Sequence, residues 1–280
     1  MNRLYPLVCF LILGAMPAAA ETPVERGKYL AGTIMTCVHC HTPLGDGGPD
    51  MSKALAGGRK FVEDAFTVYA SNITPDPETG IGRWTNEQLK AAIVEGVRPD
   101  GSRLAPIMPS AYYRALLPED LDALVAYLRS VAPVENAVPA PDYRQEMHPE
   151  EPPPGFGTPP TPADLAAPAG RGRYLVAIGR CMECHSRPGP DGRADFATGY
   201  GAGGATFEGP WGVSVAPDIT ASRSGLADWS DAEIARAITE GIGRDGEKLK
   251  PPMAYRAYSK LKPEDVADIV AYLRTVPAAE

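Results

Sequence analysis

The sequence predicts an all-α fold built from two tandem copies of one helical domain joined by a proline-rich linker. Three observations carry this expectation. The first is an internal repeat. Arg26-Gly27-Lys28-Tyr29-Leu30 recurs as Arg171-Gly172-Arg173-Tyr174-Leu175, and Pro118-Glu119-Asp120 as Pro263-Glu264-Asp265. Ala126-Tyr127-Leu128-Arg129 recurs as Ala271-Tyr272-Leu273-Arg274, and Trp84 as Trp229, all at an offset of 145 residues. Such a period is too long for a solenoid and marks a duplicated domain. The second is the same set of helix signals in each half. The third is a stretch dense in proline, including Pro152-Pro153-Pro154 and Pro159-Pro160, which favours extended backbone over a packed core. The predicted boundaries are 1–20 for an export signal, 21–131 for domain 1, 132–169 for the linker and 170–280 for domain 2.

A first helix is expected over 24–36, with its twin over 170–180. A middle helix opens with Thr85 and Gln88, a capping-box pair, and stops at Gly96. Ser230, Glu233 and Gly241 repeat that plan. The last helix begins at Pro118, tolerated in a first turn because its missing amide would be unpaired there. Leu121, Leu124, Val125 and Leu128 give it one apolar face, and Val266, Ile269, Val270 and Leu273 repeat the spacing. Gly-rich segments such as 45–49 and 199–204 read as loops. They are not phosphate loops, because no Gly-Lys-Ser/Thr succeeds them.

Each first helix leads into a five-residue motif, Cys37-Val38-His39-Cys40-His41 and Cys181-Met182-Glu183-Cys184-His185. C-x-x-C-H is the attachment signature of c-type haem. Two thiols three positions apart reach the two vinyl groups of one porphyrin, and the next histidine supplies an imidazole to the iron. A zinc knuckle would need four ligands crowded into five residues, and a redox dithiol would need no histidine. Two covalently attached haem c groups are therefore expected, held by Cys37, Cys40, His41, Cys181, Cys184 and His185.

The histidine count limits the sixth ligand. The sequence has four: His39, His41, His148 and His185. Two bis-histidine haems are impossible, and no cysteine is spare once both motifs are used. Methionine, lysine, tyrosine or an open site remain. Met108 and Met253 are the methionines that match across the repeat, each in a proline-flanked loop before the last helix. They are the expected iron ligands beside His41 and His185. Trp84 and Trp229 are candidates for donating an indole N–H to a haem carboxylate, and carbonyls near Pro43 and Pro188 for accepting from the ligand histidines. Tyr29, Tyr127, Tyr174 and Tyr272 read as packing between first and last helices.

The bulk properties narrow the setting. Residues 1–20 carry Arg3, an apolar run and Ala18-Ala19-Ala20, the pattern of a cleaved secretory signal. Cleavage would remove Cys9, leaving four cysteines and no disulfide. No other segment is apolar for long enough to cross a bilayer, so no transmembrane anchor is expected in the mature chain. The net charge of −8 argues against a nucleic-acid partner.

These motifs resemble the class I cytochrome c family. More narrowly, Asn72-Ile73-Thr74-Pro75-Asp76 and Gly80-Ile81-Gly82-Arg83-Trp84 resemble the cytochrome c subunits of bacterial periplasmic dehydrogenases acting on alcohols, sugars and aldehydes. So does Pro263-Glu264-Asp265 leading to Ile269-Val270-Ala271-Tyr272-Leu273. The resemblance covers roughly 24–131 and 169–276. It implies two tandem cytochrome c domains and haem ligation outside the bacterial cytoplasm, in the periplasm. It also implies single-electron transfer from a periplasmic dehydrogenase subunit to a downstream cytochrome or oxidase. Better-known subunits of that group often carry three haems and a C-terminal membrane segment; this sequence shows two motifs and no such segment. The competing expectation is a haem enzyme such as a di-haem peroxidase or thiosulfate dehydrogenase. The paired methionines and the shortage of histidine and free cysteine count against it.

Overall fold

A computed structural model describes residues 20–46, 48–148 and 151–278. The expected signal, Ala20 apart, lies outside the described residues, with Cys9. The first half opens with α1 (Pro23–Gly32), then the single-turn helix α2 (Cys37–His41). Two hairpins come next: β1 (Leu44–Gly45) with β2 (Gly48–Pro49), and β3 (Lys60–Glu63) with β4 (Phe66–Tyr69). The middle helix α3 (Asn86–Val94), the short α4 (Ser110–Tyr113) and the long α5 (Pro118–Ser130) complete it. β5 (Asp142–Tyr143) belongs to the segment between the halves. The second half repeats the plan with α6 (Pro168–Ile178), α7 (Cys181–His185), β6 (Thr206–Gly209), β7 (Gly212–Val215), α8 (Asp231–Glu240), α9 (Tyr255–Tyr258) and α10 (Pro263–Leu273).

Helices dominate, but the expected all-α fold omitted small antiparallel sheets. Lys60 pairs with Tyr69 and Glu63 with Phe66 in the first half; Thr206 pairs with Val215 in the second. Phe66 and Val68 alternate inward with Thr67 and Tyr69, the period of two that a half-buried strand needs. The first helix of the first half is also shorter than expected, whereas its twin keeps the expected length and starts two residues earlier. α1 stops at Gly32, four residues before the predicted end, because the chain must turn to present the cysteine motif.

The framework of each half is a crossing of its first and last helices. Leu30 and Ala31 of α1 meet Leu124, Val125 and Leu128 of α5; Leu175 and Ile178 of α6 meet Ile269, Val270 and Leu273 of α10, all buried. Burying each large aliphatic chain is worth roughly 1.5–3 kcal/mol. Glycine sets the closeness of both crossings. A Cβ on Gly27 would stand 2.0 Å from the carbonyl oxygen of Ala123, and one on Gly172 1.8 Å from that of Asp268. Arg26 adds a two-pronged ion pair with the buried Asp120 (2.7 and 2.8 Å), and Arg171 one with Asp268 (2.6 and 2.8 Å).

The two capping boxes form as the sequence requires. The Thr85 hydroxyl accepts from Gln88 N at 3.1 Å and the Gln88 side chain accepts from Thr85 N at 2.9 Å; Ser230 and Glu233 repeat this. The segment between the halves packs on both. Val134 O accepts from Asn72 Nδ2 (2.7 Å), and β5 adds a third strand to β3–β4. Further on, Phe156 is buried against Tyr200, with Arg173 over its ring.

Tyr29 and Tyr174 bridge the two halves rather than only packing first helices on last. The Tyr174 hydroxyl donates to Asp120 (2.6 Å) across the interface, and that of Tyr29 donates to Asp265. Buried apolar residues of the two halves belong to one continuous cluster.

Candidate haem sites

Each motif is presented by a break between two helices. After α1 the amide of Met35 returns to Leu30 O (3.0 Å), and Thr36 adopts a left-handed backbone with φ 52°. Arg180 does the same before α7, with φ 57°. Positions i, i+3 and i+4 of a helical turn share one face, so Cys37, Cys40 and His41 point together. His39 lies off that face, and Arg59 Nη1 holds its carbonyl at 2.6 Å. The motif's far end is pinned in both halves. His41 O accepts from Gly57 N and His185 O from Gly203 N, both at 2.7 Å. The buried hydroxyls of Thr42 and Ser186 accept from Leu55 N (3.2 Å) and Gly201 N (3.1 Å).

In the first half these groups line a cleft whose empty volume, mouth included, is about 1210 Å³. Cys37, Cys40 and His41 share its wall with Met108, Trp84 and Tyr113. Met108 is fixed by its loop. Its amide donates to Ala105 O (2.9 Å), its carbonyl accepts from Ser110 N (2.8 Å), and Leu104 N returns to Gly96 O (2.8 Å). Met253 occupies the matching loop ahead of α9, half-buried. There Leu249 N returns to Gly241 O (2.7 Å), Ser214 Oγ donates to Pro251 O (2.7 Å) and Lys250 Nζ to Val213 O (3.0 Å). His148, the spare histidine, is exposed on a small separate pocket behind the Met108 loop and does not line the cleft.

The electrostatics suit neutral ligands. His41 Nδ1 lies 2.8 Å from Ser71 O, and His185 Nδ1 2.9 Å from Pro217 O. A carbonyl at Nδ1 accepts a hydrogen bond from that nitrogen's N–H and leaves Nε2 unprotonated, with its lone pair free for a metal. Burial lowers both imidazole pKa values, against a partial rise from those carbonyls. The carbonyls are not the ones expected near Pro43 and Pro188. Burial pushes the Cys37 and Cys181 thiols up to about 12, with the neighbouring cysteine adding to it, and Cys184 up to about 11. A redox dithiol needs the opposite shift. Among the described residues, no group of three or more His, Cys, Asp or Glu converges to hold a bare metal ion. The residues therefore fit haem: paired thiols, an oriented imidazole and a thioether around one apolar cleft.

Sequence reasoning missed Ser71 and Pro217, which act through backbone atoms and leave no side-chain signature. It also missed Tyr113, Arg98 and Arg180 on the cleft wall. Arg180 had a signal, since it directly precedes Cys181. Trp84 lines the cleft, and its carbonyl is held by Arg129 as that of Trp229 is held by Arg274.

Two copies of a helical domain, each presenting C-x-x-C-H, define a protein with two haem c groups. The chain belongs to the cytochrome c family, whose domain matches residues 24–132 and again 169–277. It is 34% identical to the fructose dehydrogenase cytochrome subunit of Gluconobacter japonicus, over 94% of this chain and 54% of that protein. It is 33% identical to a diheme cytochrome c-type protein of Cereibacter sphaeroides, over 87% of this chain and 83% of that one. Identity to the cytochrome c subunit of a quinone alcohol dehydrogenase from Gluconobacter oxydans is 32%, over 93% and 56%. The chain thus spans little more than half the length of these two dehydrogenase subunits. Among the described residues no helix is long and apolar enough to cross a membrane.

Proposed function

We propose that this chain is a periplasmic electron-transfer protein that takes single electrons from a dehydrogenase and passes them to a downstream cytochrome or oxidase. The observation that carries the reading is the cleft on which Cys37, Cys40, His41 and Met108 meet, with its counterpart residues repeated in the second half. Haem supplies the one-electron ferric/ferrous couple when bound. The chain's residues hold and tune it. Cys37 and Cys40, with Cys181 and Cys184, tether the two groups. His41 and His185 present Nε2, fixed by the carbonyls of Ser71 and Pro217. Met108 and Met253 would each offer a thioether sulfur to the iron, a ligand that would raise the potential. The relatives that are dehydrogenase subunits support a dehydrogenase as donor, and residues 1–20 support export.

The test is mass spectrometry and a redox titration of the exported protein. Two haems per chain and a sulfur-to-iron charge-transfer band in the oxidised state are expected. Met108→Ala and Met253→Ala should each abolish one haem's share of that band and lower one potential by more than about 59 mV, a tenfold change in a one-electron equilibrium. Fewer than two haems after competent maturation, or a band untouched by either substitution, would refute the reading.

A further inference from the structure

The two attachment motifs differ in charge although they match in geometry. Arg180 stands where domain 1 has Thr36, and Glu183 where it has His39. Arg180 Nη1 and Glu183 Oε2 form an ion pair at 3.0 Å. The pair straddles the interface. Arg180 precedes Cys181 in the chain, yet its side chain lines the domain 1 cleft together with Cys37, Cys40 and Met108. Packing puts it there: Gly179 abuts Ile34, so the two breaks that precede the motifs lie side by side. Glu183 stays between the two cysteines of domain 2. Arg59 adds a further cation at domain 1, bonded to His39 O, while Ala205 stands at its matching position. Arg98 is not matched by an arginine at its own repeat position. Arg98 lines the first cleft, and in the second half Arg236 Nη2 reaches the carbonyl of Gly243, the residue standing in Arg98's place (3.2 Å).

We infer that Arg180, opposed by Glu183, makes the two haem sites electrostatically unequal and draws the electron from domain 2 to domain 1. The inference rests on the proposed di-haem carrier role and adds a direction to it. A fixed cation beside a metal centre disfavours the extra positive charge of the ferric state, and an anion favours it. Arg180 therefore raises the potential of the domain 1 site, whereas at domain 2, where its charge also reaches the cysteines, Glu183 opposes it. The step is one electron: the domain 2 iron is oxidised, the domain 1 iron is reduced, no bond changes and no proton moves. Arg180 is a positioning residue in this sense, acting by its charge and not as a ligand. Electrons then enter at domain 2 and leave from domain 1.

The test is a haem-resolved redox titration of Arg180→Gln, Arg180→Lys and Glu183→Gln, monitored by the separate proton signals of each haem's methyl groups. Arg180→Gln should lower the domain 1 potential, reducing the inter-haem equilibrium constant about tenfold, or about 59 mV. Arg180→Lys, which keeps the charge, should restore most of the gap. Glu183→Gln should raise the domain 2 potential. The inference fails if Arg180→Gln leaves the gap unchanged, if Arg180→Lys behaves like the glutamine variant, or if Glu183→Gln lowers the domain 2 value. Haem content is measured on every sample. A wild-type protein with fewer than two haems would defeat the carrier reading itself, whereas two haems with an unchanged gap would defeat only the direction.

Discussion

Asn72 and its repeat partner Asp218 show how one position is adapted to its different surroundings in the two halves. Asn72 Oδ1 accepts from the Thr74 amide and hydroxyl (3.0 and 2.8 Å), while its Nδ2 donates to Val134 O of the segment between the halves. Asp218 keeps the first role, accepting from Thr220 N (2.8 Å) and Oγ1 (2.6 Å). Its second oxygen has no such carbonyl to face and accepts from Ser222 and Ser224 instead (2.8 and 2.7 Å). Burial alone would push its carboxyl up, but the hydrogen bonds from Thr220 and the two serines outweigh it and hold the pKa below the usual range. This fixes the sign of the pH dependence. A folded pKa below the unfolded value of about 3.9 gives stability that is complete above that value and lost as pH falls through the folded one. The stability difference between wild type and Asp218→Asn should be constant from about pH 7 to 5 and shrink below about pH 4. Denaturant melts at stepped pH would measure it, and a difference that stays constant down to about pH 2.5 would contradict the account.

At the scale of elements, the helix crossings decide stability. Ala is favoured over Gly in a helix by about 1 kcal/mol, so a glycine kept mid-helix needs a reason. At Gly27 and Gly172 the reason is the carbonyl of the crossing helix, within 2.0 Å of where a Cβ would stand. Gly27→Ala or Gly172→Ala should therefore destabilise the fold by about 1–3 kcal/mol, the usual cost of overpacking, despite the gain in propensity. Gly32→Ala, at the end of the same α1, meets nothing within 4 Å and is the control, expected to change stability by less than about 0.5 kcal/mol. Urea denaturation of the three variants separates crowding from propensity; equal effects at all three would remove the explanation. The sequence displayed these glycines as part of a repeat but not why they recur, because the contact is with a backbone about a hundred residues away. Helix starts were legible because capping boxes and N-terminal prolines act within one turn. The hairpins were not. Phe66-Thr67-Val68-Tyr69 alternates, but its partner Lys60-Phe61-Val62-Glu63 is charged at both ends, and each strand is only four residues long.

For the whole molecule, the duplication was plain in the sequence while the way the copies join was hidden. Tyr29 and Tyr174, read as packing first helices on last, also cross to the other half. Each hydroxyl donates to the first-turn aspartate of the other half's last helix and accepts the amide just before that helix: Lys262 N on Tyr29 at 3.0 Å, Leu117 N on Tyr174 at 3.5 Å. Each tyrosine thus stands at the start of its neighbour's last helix, where the backbone amides lack intrahelical partners. Burial and the adjacent aspartate raise both phenol pKa values, so both hydroxyls remain donors across the physiological range. The aspartates differ in what they retain. Asp120 keeps its ion pair with Arg26 when Tyr174 is lost, whereas Arg171 pairs with Asp268 and leaves Asp265 hydrogen-bonded to Tyr29, with Arg26 and Arg171 acting on it only at longer range. A hydrogen bond to a charged group contributes roughly 1.5–3 kcal/mol. Tyr29→Phe should therefore cost more than Tyr174→Phe, and the double variant should loosen the interface without touching either cysteine motif. Calorimetry of the holoprotein should then resolve two transitions where the wild type shows one, with haem content unchanged. A double variant that still melts in one step would mean that the shared apolar core alone couples the halves, and that the crossed tyrosines serve only to cap helices.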